Sequence, residues 1–459
     1  MKNWRLFELA LLGLAAGLIA WQLFAPPSLG VADNNDFPKL TGRYCLGPAG
    51  IHPLFEYVSF AYERAPNHCW DSGLLTSAVL PLRLAMLGQP QRFDLRALGA
   101  IYGALFLAAF YEMQRLARRL RAPRRAVLPL VVLVIFGSAT YVPWFNSFYF
   151  DAASLVFLFW SVVFVCRLVL SEQIQLRDYL LAAISVLLFA GSKAQHAPLG
   201  LLLIPAFWLS FGRPGFPAVW VRGLATAAIL ATVILMGTTA PCWYESTNVY
   251  NALFYQALPR SIDPAADLAE LGIDRGMLQY VGQHAFLADS PMQKPEGVEA
   301  FSRQMSAGKL ARYYLLHPGI ATGVMGNGLR EASLQRVRME IGSRQYRLGN
   351  YERSARYQPE AQSRFLDGWS EIKARIFGNR PWIYAAYAVA LLGALWIQIA
   401  RSKTKMHLRA VFLAATLSCM VLVTAGTVLF DGVDMGRHML LFNTLLDLGV
   451  CAVVAIPNR

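Results

Sequence analysis

The chain is poor in charge. Only 15% of its 459 residues are Asp, Glu, Lys or Arg, against about 25% in a typical soluble domain, which excludes an ordinary soluble protein. Cysteine is scarce as well. There are six, and no pair has CxxC or zinc-ligand spacing, so a metal cluster is not expected. The chain also lacks an internal repeat, a low-complexity tract and inverted symmetry between its halves. Such symmetry, with Gly/Pro-broken helices at the midplane, is the mark of many transporters.

What the chain has is long apolar runs. It is 56% hydrophobic, with mean hydropathy +0.39. Ten segments are long enough to be read as crossings of a hydrocarbon layer about 30 Å thick. They run near Leu6–Phe24, Leu95–Met113, Ala126–Pro143, Phe150–Leu170, Tyr179–Gly191, Leu201–Phe211, Trp220–Gly237, Trp382–Ala400, Ala410–Phe430 and His438–Ile456. The fifth and sixth are short. The first follows Lys2 and Arg5 as a signal peptide would, but it is longer than the 7–15 residues of a signal core and reads as a retained span.

The formal charge of +14 is unevenly placed. Residues 240–380 carry 17 basic and 14 acidic side chains, leaving 25 basic against 14 acidic elsewhere. That excess collects in short loops between apolar runs, the positive-inside pattern, and not in a nucleic-acid-binding patch. The loop Arg115–Arg125 holds six arginines and is expected in the cytoplasm. Arg167/Arg177, Arg213/Arg222 and Arg401/Lys403/Lys405/Arg409 mark further cytoplasmic loops at matching parity. Both termini are then inside.

The expected organisation is mostly α: a polytopic transmembrane bundle of about ten spans. Residues 1–239 hold seven spans and a first outer loop, 26–94. Residues 240–380 form a large extracytoplasmic domain with enough chain for its own core, and 381–459 hold the last three spans. In the first outer loop, helices starting at Pro53 and after Asp71-Ser72 are expected to lie on the membrane surface. Cys45 and Cys69 share that loop and can close a disulfide in an oxidising compartment.

Four segments place polar groups at outer span ends: Asp33–Lys39, Tyr141–Asp151, Ser192–His196 and Asp431–His438. Singly, each has an ordinary use as a turn, a helix cap or an interfacial charge. Together they put carboxylates and cations on one side of the membrane, where ionisable groups mark function. A carboxylate can take a proton from a hydroxyl nucleophile. Arg437, His438 and Lys193 can hold a phosphate.

This pattern resembles the GT-C superfamily of integral-membrane glycosyltransferases, which use polyprenyl-phosphate-linked sugars. The matching features are Asp33 and Asp36 in the first outer loop, surface helices there, Asp151 in the second, and a large outer region before the last spans. Tyr149-Phe150-Asp151 and Gly436-Arg437-His438 are similar to bacterial members of unassigned substrate. The chain has no WWD signature of oligosaccharyltransferases and no Asp-Glu pair like that of protein O-mannosyltransferases.

The resemblance implies an inverting transfer to a cell-envelope glycan or lipid at the outer face of the bacterial cytoplasmic membrane. Asp36 is expected as the base, with Asp33 second, because Phe37-Pro38 should hold the chain extended and direct the carboxylate. Asp151, Lys193, His196, Arg437 and His438 are expected to bind substrate. No cofactor is required, and an assisting divalent metal stays open. The rival reading is a transporter or flippase for a lipid-linked or anionic solute. Trp369 suits a core position better than a sugar platform.

Overall fold

A computed structural model describes residues 2–89, 91–209, 214–341, 344–401 and 407–456. The expected markers Arg213, Lys403 and Lys405, and the end of the sixth span at Phe211, lie outside the described residues. The fold is mostly helical, with two small antiparallel sheets.

Among the described residues, seven helices are long and apolar enough to cross a membrane: Trp4–Phe24, Leu95–Ala117, Phe150–Leu170, Val219–Thr238, Pro381–Arg401, His407–Phe430 and Met435–Ala455. Many of their large side chains point outward. Trp220 is 70% exposed, Val389 71% and Leu422 69%. An apolar rim around helices that satisfy their own backbone hydrogen bonds is what a bilayer accepts. Two helices form the centre. In Phe150–Leu170 and Met435–Ala455, 72% of the apolar window is buried, against 17% in Val219–Thr238.

Three expected spans are not among the helices long enough to cross a membrane. The third is a 15-residue helix, Ala122–Phe136, which stops at Gly137 and gives way to a 3-10 turn, Val142–Phe145. The fifth is Leu176–Ala190, also 15 residues. The sixth is no single helix. It is Ala197–Leu201 followed by a 3-10 turn, Ile204–Phe207, each carrying a proline near its start. Proline removes a helical donor and breaks the run. Ile174 N–H donates to Pro214 C=O at 3.3 Å, which brings together the loops on either side of this stretch.

The arginine-rich end is tied by ion pairs. Glu8 in the first helix accepts from Arg118 at 2.5 Å and Arg125 at 2.8 Å. Arg167 reaches Glu112 and Asp178, and Arg409 reaches Glu172.

The first loop corrects the expectation of a helix from Pro53. Val58, Phe60 and Tyr62 are buried while Ser59, Ala61 and Glu63 are not, and period two is the strand signature. Strand Ala61–Arg64 lies between Leu46–Pro48 and Arg92–Asp94, with Tyr62 opposite Phe93. Both rings pack on Phe148. The second expected helix starts late, at Val79, and ends at Ala85. Cys45 and Cys69 are bonded.

Among the described residues, 240–380 close no separate core. Their buried side chains belong to the same cluster as those of the spans. Helix Pro318–Ser333 packs on Pro381–Arg401. The segment 349–352 is woven into the first loop: Ala32 N–H donates to Gly349 C=O, and Gly349 N–H donates to Phe55 C=O, both at 2.8 Å. A Cβ at Gly349 would lie 2.0 Å from the Glu56 carbonyl oxygen, so only glycine permits this crossing.

Candidate active site

The turn at Asp33–Lys39 is built by Asp33. Its Oδ1 accepts the backbone N–H of Asp36 at 2.9 Å and of Phe37 at 3.1 Å. Its Oδ2 lies 3.0 Å from His52 Nε2. A side chain that caps its own turn in this way fixes the backbone, and Asp33 is buried with both oxygens engaged. Phe37 is helical, not extended (φ −58°, ψ −39°), and Pro38 opens a one-turn helix. The pre-proline bias yields because Phe37 is wedged edge-on against Phe148 and Tyr149 and Asp33 holds its N–H. The direction of Asp36 therefore comes from Asp33, not from an extended Phe37.

Asp36 points into the junction of four segments. Its carboxylate pairs with Lys39 and, at 2.5 Å, with Arg437. Burial alone would raise its pKa, but the Lys39 and Arg437 charges outweigh this and hold it well below the usual carboxylate range.

Asp151 sits in the first turn of Phe150–Leu170. Its Oδ1 meets Lys193 Nζ at 2.9 Å. Its Oδ2 is buried without a hydrogen-bond partner, 3.9 Å from the Arg437 guanidinium. A buried, half-satisfied carboxylate is costly in an ordinary core.

The segment 431–438 closes the ring. Asp434 adopts a left-handed conformation, φ 63°. Arg437 Nε lies 2.6 Å from Asp434 Oδ2, and the guanidinium rides 4.7 Å from the centre of the Tyr149 ring. Asn34 donates to the same Asp434 oxygen at 2.9 Å. His438 contacts Gln195 and Asp431, each at 2.9 Å. A Cβ at Gly432 would lie 2.2 Å from the Asn251 carbonyl oxygen, so the loop can approach helix Cys242–Tyr250 and its continuation only as glycine.

Five carboxylates (Asp33, Asp36, Asp151, Asp431, Asp434) thus surround three permanent cations, Lys39, Lys193 and Arg437. Burial, with Asp36 and Asp431 nearby, pushes the pKa of Asp434 up to about 6 against the pull of Arg437 and His438. Asp36, Asp151, Lys193, Arg437 and His438 line a cavity of about 460 Å³ together with Lys39 and Asp434.

The structure brings six of the seven expected site residues into direct contact with this cluster. Asp33 supports it from behind, outside the cavity lining. His196 is placed elsewhere. Its Nδ1 is 2.8 Å from Ser154 Oγ, its ring stacks on Phe189, and it lines no wall. Burial, then the Lys193 charge, lowers its pKa to about 3, so it is neutral at working pH. The cations differ from expectation too: Arg437 and Lys193 do not stand free but are paired with carboxylates. Sequence reasoning passed over Lys39, Tyr149 and Asp434, although all lie in the polar segments; Lys39 stands three residues from Asp36, the signal of a local ion pair.

Among the described residues, one trio could hold a metal, Asp267, Glu270 and His317. It lies outside the cavity, and Asp267 already accepts from Tyr313 at 2.6 Å.

Apolar helices around a charged, water-accessible cavity define a multi-pass integral membrane protein with a polar site at one end of its bundle. The family model described as the YfdI N-terminal transmembrane domain matches residues 2–457. The chain belongs to that family. No curated protein and no solved structure matches it.

Proposed function

We propose that this protein is a membrane glycosyltransferase. It moves a sugar from a polyprenyl-phosphate donor to an envelope glycan or lipid at the outer face of the cytoplasmic membrane. The observation that carries the reading is Asp36, a cavity-lining carboxylate held between two cations that suit phosphate.

The donor phosphate competes with Asp36 for Arg437 and Lys39. As the phosphate takes those donors, the Asp36 carboxylate loses the charges that hold its pKa down and becomes a better base. It removes the proton of an acceptor hydroxyl. That oxygen attacks the anomeric carbon on the face away from the phosphate, and the carbon–oxygen bond to the phosphate breaks. Polyprenyl phosphate leaves with the bonding pair, and Arg437 meets its charge in a fork suited to two phosphate oxygens. The arginine-rich end of the bundle, opposite in parity, supports the assignment of the cavity to the outer face.

The test is to incubate purified protein with radiolabelled polyprenyl-phosphate hexoses and pentoses and an envelope acceptor fraction. The reading expects release of polyprenyl phosphate matched by labelled acceptor. Movement of intact donor across a liposome wall without release would favour a flippase and contradict it.

A further inference from the structure

We infer that Trp70, Trp243 and Tyr244 form a ring-stacking subsite for a sugar of the acceptor, beside Asp36; this rests on the transferase reading above. All three line the same cavity as Asp36 and Arg437. Trp70 and Trp243 lie 5.8 Å apart, ring centre to ring centre, tilted by 44°, and Trp243 meets Tyr244 edge-on at 5.7 Å.

The platform is rigid though exposed. Trp70 is 45% exposed, yet its backbone cannot drift. Cys69 before it is bonded to Cys45, its own N–H donates to Gly42 C=O at 3.0 Å, and Asp71 after it binds Arg43. A large apolar side chain left open on a fixed frame, within a cavity, serves recognition better than packing.

The helix behind it has two faces. Val249 and Tyr250 are buried in the core. Tyr244, Thr247, Asn248 and Asn251 face the cavity at the i, i+3, i+4, i+7 spacing of one helical stripe. Soluble or membrane, a helix normally fills such a stripe with apolar residues or with charge. Here it carries a phenol, a hydroxyl and two amides, which donate and accept in pairs as sugar hydroxyls do. Asn251 Oδ1 accepts from Ala285 N–H at 2.7 Å and Asn248 hydrogen-bonds the Tyr244 hydroxyl, which leaves each amide further polar valences; aromatic faces with such groups beside them fit a neutral polyhydroxyl ring better than a prenyl chain. Lys39, the partner of Asp36, lies 5.7 Å from the centre of the Tyr244 ring, so a sugar seated here presents its hydroxyls next to the base.

Calorimetric titration of the full-length protein in detergent tests this. The probe is soluble oligosaccharide released by mild acid from the envelope polysaccharide of the cell that makes the protein. Trp70→Ala and Trp243→Ala should each weaken binding about threefold to tenfold, and Trp70→Tyr should recover most of it. Trp70→Leu should be as weak as Trp70→Ala, and Asn248→Ala should weaken binding independently. Unfolding temperatures are compared so that only folded variants are scored. Native-like oligosaccharide binding in both alanine variants would overturn the proposal, as would no binding by the native protein. Loss of farnesyl phosphate affinity in place of saccharide affinity would also overturn it, by making the rings a lipid-tail seat. If Asp36→Asn kept transfer activity, the base assignment would fail while the subsite stood.

Discussion

Two buried lysine–aspartate pairs link connecting segments to the central helices, and they are built differently. Asp447 is fully buried. One of its oxygens accepts from Lys373 at 2.7 Å and Trp369 at 2.8 Å, the other from Tyr141 at 2.6 Å. Every strong demand of that carboxylate is met within the protein, and it lines no part of the large cavity. Asp151 is just as dry, but its only hydrogen bond is to Lys193, and its second oxygen faces Arg437 beside the cavity. The first carboxylate is saturated within the protein; the second keeps an unpaired oxygen beside open volume, which is the feature the proposed function uses. The contrast also settles Trp369, whose indole N–H is a structural donor to Asp447.

The largest effect should come from breaking the saturated pair. Asp447→Ala strands Lys373 in the interior and should cost about 3–5 kcal/mol, read as a collapse of the unfolding transition in detergent. The double change Asp447→Leu with Lys373→Met should recover much of it. A loss under about 1 kcal/mol in Asp447→Ala would place this pair outside the structural core.

Next is Arg437, where three carboxylates meet. Arg437→Lys should weaken binding of a phosphodiester-linked sugar donor roughly tenfold or more, because a point charge cannot replace a fork held on charge-assisted hydrogen bonds. Donor affinity unchanged in this variant would remove Arg437 from the phosphate subsite.

The smallest effect is with pH. The folded pKa of Asp434, about 6, lies above its ordinary value. Its contribution to stability is therefore complete below the ordinary carboxylate pKa and is lost as pH rises through about 6. Protonation also removes one negative charge facing Arg437. Donor binding should tighten by roughly threefold between about pH 7.5 and about pH 5.5. Asp434→Asn should bind tightly at both ends of that range. A pH response unchanged in Asp434→Asn would remove Asp434 from this role.

The apolar runs made the bundle legible. The short third crossing and the break inside the sixth were not, because proline and glycine within Ala122–Phe145 and Ala197–Phe207 divide runs that hydropathy treats as continuous. The alternation Val58, Phe60, Tyr62 was readable as a strand, yet Pro53 suggested a helix start. At the site, Asp36 and Arg437 were each visible as charged groups at span ends. Their pairing was not, since 401 residues separate them and the paired state depends on tertiary contacts that composition does not encode. Phe37-Pro38 shows the same limit: a local preference gave way to two aromatic neighbours from another loop.

The central claim is that the Asp36 carboxylate does chemistry. The most direct measurement is single-turnover release of polyprenyl phosphate by native protein and by Asp36→Asn, with donor binding and unfolding temperature recorded on the same samples. Asparagine keeps the size and loses the basicity. The account predicts turnover reduced by at least about a hundredfold with the fold retained and donor still bound. Release at the native rate in a folded Asp36→Asn would contradict it.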